Sequence, residues 1–146
     1  MSSEVVTTNS ADSSVADYDV ESRAIIFSTL EDSTYAERVA AYQLISDALP
    51  IKDLVNKDFK ITNILMNYQP VTDDDGVVTQ AVATTFETPE GGYRAVSTVI
   101  ADDVNRLIAV VGSPKEWENG GPTFTVRQVS GKGANSYYHL VIKSVK

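Results

Sequence analysis

The chain contains no cysteine, which excludes disulfides and thiolate metal sites. Histidine and tryptophan occur once each. A lone imidazole without a thiol or second histidine cannot anchor the usual zinc or nucleophile constellations. Long apolar runs are also missing. The longest is Leu107 to Val111, five residues, against the ~20 that a bilayer-spanning helix needs, so no membrane span is expected. The segment from Met1 to Ser14 has neither a basic start nor an apolar block, and no Asn-x-Ser/Thr site occurs. A secretory leader is therefore not expected, and the expected compartment is cytoplasmic.

Positive charge is scarce as well: 12 Lys and Arg stand against 20 Asp and Glu, for a net charge of −8. The imbalance is uneven. Residues 1–22 hold five of the acids (Glu4, Asp12, Asp17, Asp19, Glu21) and no base, so the other 124 residues carry only −3. From Asn119 to Lys146 there is no acid, but four bases occur: Arg127, Lys132, Lys143 and Lys146. Charges beyond ~8 Å are screened at physiological salt, so a local basic face can meet an anionic partner despite an acidic total.

What is present is enough for one folded domain: 146 residues with 42% hydrophobic content. Residues 1–20, rich in Ser, Thr and Asp without sustained period, read as a flexible acidic tail, and 21–146 as a single domain. Residues 21–30 fit either a helical turn or a strand. Tyr35, Val39, Tyr42, Ile45 and Leu49 recur at helical spacing and predict an amphipathic helix over 34–49, capped by Ser33 or Thr34 and closed by Pro50. Strands are expected at 58–69, 77–88 and 93–98. The first two are joined by the turn Asp73-Asp74-Asp75-Gly76, the last two by Pro89-Glu90-Gly91-Gly92. Asp102 or Asp103 then opens a short helix ended by Gly112 and Pro114. A final hairpin pairs 123–129 with 136–145.

Five short strands with a helix between the third and fourth is the element order of an OB-fold. The expected fold is mainly β: an OB-like barrel with an extra N-terminal helix that packs on or plugs it, and the flexible tail.

Catalytic and metal-binding patterns are weak. His139, between Tyr138 and Leu140, reads as a strand histidine hydrogen-bonded locally. Asp73–Asp75 fails as a calcium loop because Val71 stands where the first ligand belongs, and it reads as a hairpin turn. Gly131-Lys132-Gly133 lacks the glycine five residues earlier (Val126 is there) and the Ser/Thr after the lysine that a phosphate loop requires. No enzyme, cofactor, metal or small-molecule substrate is expected.

The pattern that remains is aromatic and basic residues interleaved on strand candidates: Tyr68, Tyr93-Arg94 and Arg127, with Lys132 and Asn135 in the last loop and Tyr137 after it. Single-stranded nucleic acid is bound by flat rings on which bases stack and by cations that follow the phosphates. Strand parity puts Phe124 and Val126 inside and Thr125 and Arg127 outside. It groups Tyr138, Leu140 and Ile142 as core and turns Tyr137, His139 and Val141 the other way.

Several stretches carry a family likeness: Arg23-Ala24-Ile25-Ile26-Phe27, Ile51-Lys52-Asp53-Leu54 leading into Phe59-Lys60-Ile61-Thr62-Asn63-Ile64, and Gly92-Tyr93-Arg94-Ala95-Val96-Ser97. Gly112-Ser113-Pro114-Lys115-Glu116-Trp117 and the last hairpin, with Gly131-Lys132-Gly133 and Tyr137-Tyr138-His139-Leu140, extend it over roughly 23–142. Here the sequence resembles the small single-stranded DNA-binding proteins of phages and conjugative elements of Gram-positive bacteria. The resemblance implies an OB-type barrel that coats single-stranded DNA during phage replication or conjugative plasmid transfer. It implies binding roles for Tyr93, Arg94, Arg127, Lys132 and Tyr137. The alternative is a self-assembling phage or plasmid structural module without nucleic-acid binding. Residues 1–20, with Val5, Val6, Val15, Tyr18 and Val20, either dock on a neighbouring subunit or form an acidic tail that competes with DNA.

Overall fold

The computed structural model describes residues 23–130 and 136–145. The tail, Lys132 and Asn135 lie outside the described residues. In chain order the elements are β1 (Ile25–Ser28), α1 (Tyr35–Asp47), β2 (Leu49–Pro50), β3 (Asn63–Thr72), β4 (Val78–Thr88), β5 (Gly91–Val96), α2 (Thr98–Val111), β6 (Thr123–Ser130) and β7 (Ser136–Ser144). Short 3-10 turns occupy Ile51–Leu54 and Pro114–Glu116.

The architecture is mainly β, with one five-stranded sheet in the order β1-β3-β4-β5-β2 and a separate β6-β7 ladder. The strands do not close into the expected barrel, and the reason lies at the sheet edges. The outer edge of β3 is taken by β1, and that of β5 by the two-residue β2, pairing Leu49 with Tyr93 and Pro50 with Arg94. No edge of β3-β4-β5 is left for the final hairpin. Instead β6 meets the irregular segment 55–59 through two isolated bridges, Val55 with Val126 and Phe59 with Phe124.

The long β3-β4 ladder runs from Asn63↔Glu87 to Thr72↔Val78. Its turn is set by Asp73, whose Oδ1 accepts the N–H groups of Asp75 and Val77 at 2.9 Å each, with Gly76 at φ 81. The left-handed φ suits glycine, which has no Cβ to clash. The Asp73 carboxylate is thus committed to closing a hairpin. The expected strand at 58–69 begins only at Asn63, because Phe59 pairs with Phe124 and the chain turns before joining β4.

Alternation decides which side of the sheet is the core. Ile64, Met66, Phe86 and Ala95 face one side and pack with Ile100, Val104 and Leu107 of α2 and with Phe124 and Val126 of β6. Phe124 stacks on Phe59 (6.1 Å between centroids) and meets Trp117 (5.6 Å), fastening the hairpin to the rest. Tyr138 and Leu140 pack at the edge of this core, whereas Ile142, expected inside, is exposed where β7 runs past the end of α2.

Both helices differ from expectation in instructive ways. α2 starts at Thr98, capped by Ser97, whose hydroxyl accepts from Ile100 N–H. Neither Asp102 nor Asp103 is the cap. α1 begins as predicted with Thr34, which forms a capping box with Glu37. Yet no residue of α1 is buried, and Tyr35 and Tyr42, assigned to its apolar stripe, are 77% and 71% exposed. The sheet is met by Leu44, which lies so close to Gly92 that a Cβ there would come within 2.7 Å of Leu44 Cδ1. A glycine on the strand admits the helix, and the tyrosines are left pointing outward.

Candidate nucleic-acid interface

Residues adjacent in a strand point to opposite faces, and this divides the predicted site. Tyr93 is opposite Phe86 and, through it, in line with Ile64, so its ring packs against the core. Tyr68 pairs with Val82 on the same side and lines a 360 Å³ cleft with Phe27, Met66 and Ala101 and Ile108 of α2. Arg94 is on the other side. The expected grouping of Tyr68 and Tyr93 with Arg94 is therefore corrected by the register of β3, β4 and β5.

Arg94 lies across that outer face. It donates from Nη1 to Asn67 Oδ1 (3.2 Å) and Thr85 Oγ1 (2.9 Å) and from Nη2 to Gln69 Oε1 (2.6 Å). Partial burial, and then the nearby charge of Arg23, bring its guanidinium below the ordinary arginine value.

On the hairpin the parity reading holds. Phe124 and Val126 are fully buried and Arg127 is exposed. Arg127 pairs with His139, and Val129 with Tyr137, so Arg127 and Tyr137 are diagonal neighbours on one face. The Tyr137 ring meets the His139 imidazole edge-on, 5.4 Å between centroids. His139 Nδ1 in turn lies 2.9 Å from Asp103 Oδ2 on α2.

Asp103 is the functional-looking residue that sequence reading missed. It is 7% exposed and also accepts from Leu140 N–H (3.0 Å) and Arg106 Nη2 (2.7 Å). Burial alone would raise its carboxyl pKa. The hydrogen bonds from Arg106, His139 and the Leu140 amide, with the histidine charge, outweigh burial and hold it below the usual value. The carboxylate thereby caps the edge of β7 that would otherwise expose an unpaired N–H. The only sequence signal was the expected local partner of His139, which proves to be 36 residues away.

A 530 Å³ cleft joins the two halves of the site. It is lined by Val71, Ala81 and Val96 of the outer sheet face, Ser97 and Val99 at the start of α2, and Tyr137 and Tyr138 of β7. Ala81 pairs with Gln69, which holds Arg94, so the cleft continues the face on which Arg94 lies. Its far rim at Val71 is two residues from Asp73, an acidic border. The structure thus sets Tyr137 and Arg127 on one face of the hairpin and Arg94 on the sheet face that lines the cleft, with Tyr68 and Tyr93 on the opposite side of the sheet.

Among the described residues no cluster of three or more His, Asp or Glu is arranged to hold a metal ion, and no helix is long and apolar enough to cross a membrane. The chain matches no family model, no curated protein and no solved structure.

Proposed function

We propose that this chain binds single-stranded DNA with little sequence preference, and that bases stack at Tyr137 while Arg127 and Arg94 meet phosphates. The observation that carries the reading is the exposed Tyr137 ring lining an open cleft with Val96 and Ala81 and no charged residue, with Arg127 its diagonal neighbour on the hairpin face. Stacking on a ring is sequence-tolerant because every base has a π-face. An OB-type reading of the fold draws on the five-stranded sheet and on a final hairpin that packs against α2 and the Ile51–Leu54 turn rather than extending the sheet. The acidic turn at Asp73 favours a path that enters from the Arg94 and Arg127 side. The resemblance to single-stranded DNA-binding proteins of phages and conjugative elements supplies the biological setting: coating DNA in replication or transfer in the cytoplasm.

Polarization of a labelled oligothymidylate tests the proposal. Saturable, salt-weakened binding is expected. Absence of binding at low salt by a folded sample would remove it.

A second reading, a self-assembling structural module, draws on the outward tyrosines of α1. Tyr35 and Tyr42 leave that helix face without a partner among the described residues. Light scattering that shows concentration-dependent assembly, unchanged by oligonucleotide, would favour it.

A further inference from the structure

A half-buried arginine ordinarily has a carboxylate beside it, since an uncompensated charge is costly to desolvate. Arg94 does not. Its three acceptors, Asn67, Gln69 and Thr85, are all neutral, and no ion pair joins it to an acid among the described residues. A guanidinium has five N–H donors, and these bonds use both on Nη1 and one on Nη2. The Nε–H and the second Nη2–H have no acceptor among the described residues. Arg23, exposed just before β1, precedes Ala24, whose carbonyl accepts from Tyr68 N–H (3.0 Å), and so stands beside Gln69, the residue that holds Arg94; its charge acts on Arg94 from there. Two positive side chains thus flank Gln69, and one of them is held rigidly on the sheet face that leads into the Tyr137 cleft.

We propose that Arg94, clamped by Asn67, Gln69 and Thr85, forms with Arg23 a site for one phosphate group. The neutral clamp fixes the guanidinium plane without neutralising it. A tetrahedral anion with several acceptor oxygens takes the spare donors and relieves the repulsion between the two arginines. The proposal rests on the nucleic-acid reading in one respect: the phosphate is taken to be a phosphodiester of the bound single strand. The same chemistry would also take inorganic phosphate.

The test compares wild type, Arg23→Gln and Arg94→Lys by oligothymidylate titration over a series of salt concentrations. Each neutralised phosphate of a single strand contributes ~0.7 to the slope of log affinity against log salt. Arg23→Gln removes a charge and is expected to lower that slope by up to about this amount, whereas Arg94→Lys keeps the charge but loses the planar fork and should leave the slope nearly unchanged. Each should weaken binding about tenfold at low salt, as loss of a charge-assisted contact does. Arg23 is exposed, so Arg23→Gln reports even if Arg94→Lys loosens the sheet. Oligonucleotide binding with the slope unchanged in Arg23→Gln and the affinity unchanged in Arg94→Lys would overturn the phosphate site while leaving the DNA reading in place. If wild type binds no oligonucleotide, thermal denaturation with added inorganic phosphate separates the two ideas. A midpoint raised in wild type but not in Arg23→Gln supports a free-phosphate site; no rise in wild type overturns it.

Discussion

The Nδ1 of His139 and the Oδ2 of Asp103 lie 2.9 Å apart, joining β7 to α2 at the point where the Tyr137 ring leans on the imidazole. Through this contact a buried carboxylate sets the orientation of the candidate stacking residue. The same oxygen accepts from the Leu140 amide, so side chain and backbone of β7 are fixed together.

Replacing Asp103 by Asn keeps the shape and removes the charge. It is expected to destabilise the protein by ~1–3 kcal/mol near neutral pH, because charge-assisted bonds to Arg106 and His139 are weakened. The pH dependence has a definite sign. The folded carboxyl titrates below its ordinary 3.8, so its contribution is complete above that pH and is lost as pH falls through the lower folded value. Urea midpoints of wild type and Asp103→Asn should therefore converge in acid below 3.8. A gap that persists undiminished there would show that the carboxylate charge is not what stabilises the contact.

Tyr137 and Tyr93 should behave oppositely. Tyr137 is 37% exposed, and its replacement by Ala should weaken oligothymidylate binding by ~1–3 kcal/mol with a small change in melting temperature. Tyr93 packs against the core, so Tyr93→Ala should cost ~2–3 kcal/mol of stability and leave the affinity of the folded protein unchanged. Calorimetry and titration on the same two variants check both halves.

Arg127→Gln should act on the electrostatic component alone. The side chain is exposed on the hairpin face, and its loss is expected to lower the salt slope by ~0.7 with stability held within ~0.5 kcal/mol. A fall in affinity without any change of slope would mean that Arg127 does not meet a phosphate.

The exposed stripe of α1 gives a prediction about folding alone. Tyr35→Ser and Tyr42→Ser should each change stability by no more than ~0.5 kcal/mol, whereas truncating a large buried aromatic costs ~3–5 kcal/mol. Chemical denaturation of the two variants distinguishes a helix that turns these rings to solvent from one that buries them.

Much of the local structure was legible in residue order. The cap at Thr34, the Asp73–Gly76 turn and the inward alternation of Phe124 and Val126 depend on neighbours a few positions away, and each is present. Parity also separated Arg127 from Val126 and Tyr137 from Tyr138 correctly. Parity was not carried to β5, where two adjacent residues were both assigned to the site. Tyr93 and Arg94 face opposite sides of β5, and spacing alone does not say which side another strand will cover.

The helices mark the same boundary. Helical spacing in α1 established that Tyr35 and Tyr42 share a face, but only the seat of Leu44 on Gly92 decided that this face looks outward. Asp103 reads in sequence as a helix start, and becomes a buried acceptor because β7 returns to it 36 residues later. Sequence by itself determined the three-strand run β3-β4-β5 with its two turns, the strands of the final hairpin, the absence of thiol chemistry and the uneven charge, since these follow from backbone preference and composition. The open sheet, the neutral clamp on Arg94 and the cleft beside Tyr137 were decided by tertiary structure. They depend on which strand claims which edge, a competition among distant segments for the same hydrogen bonds.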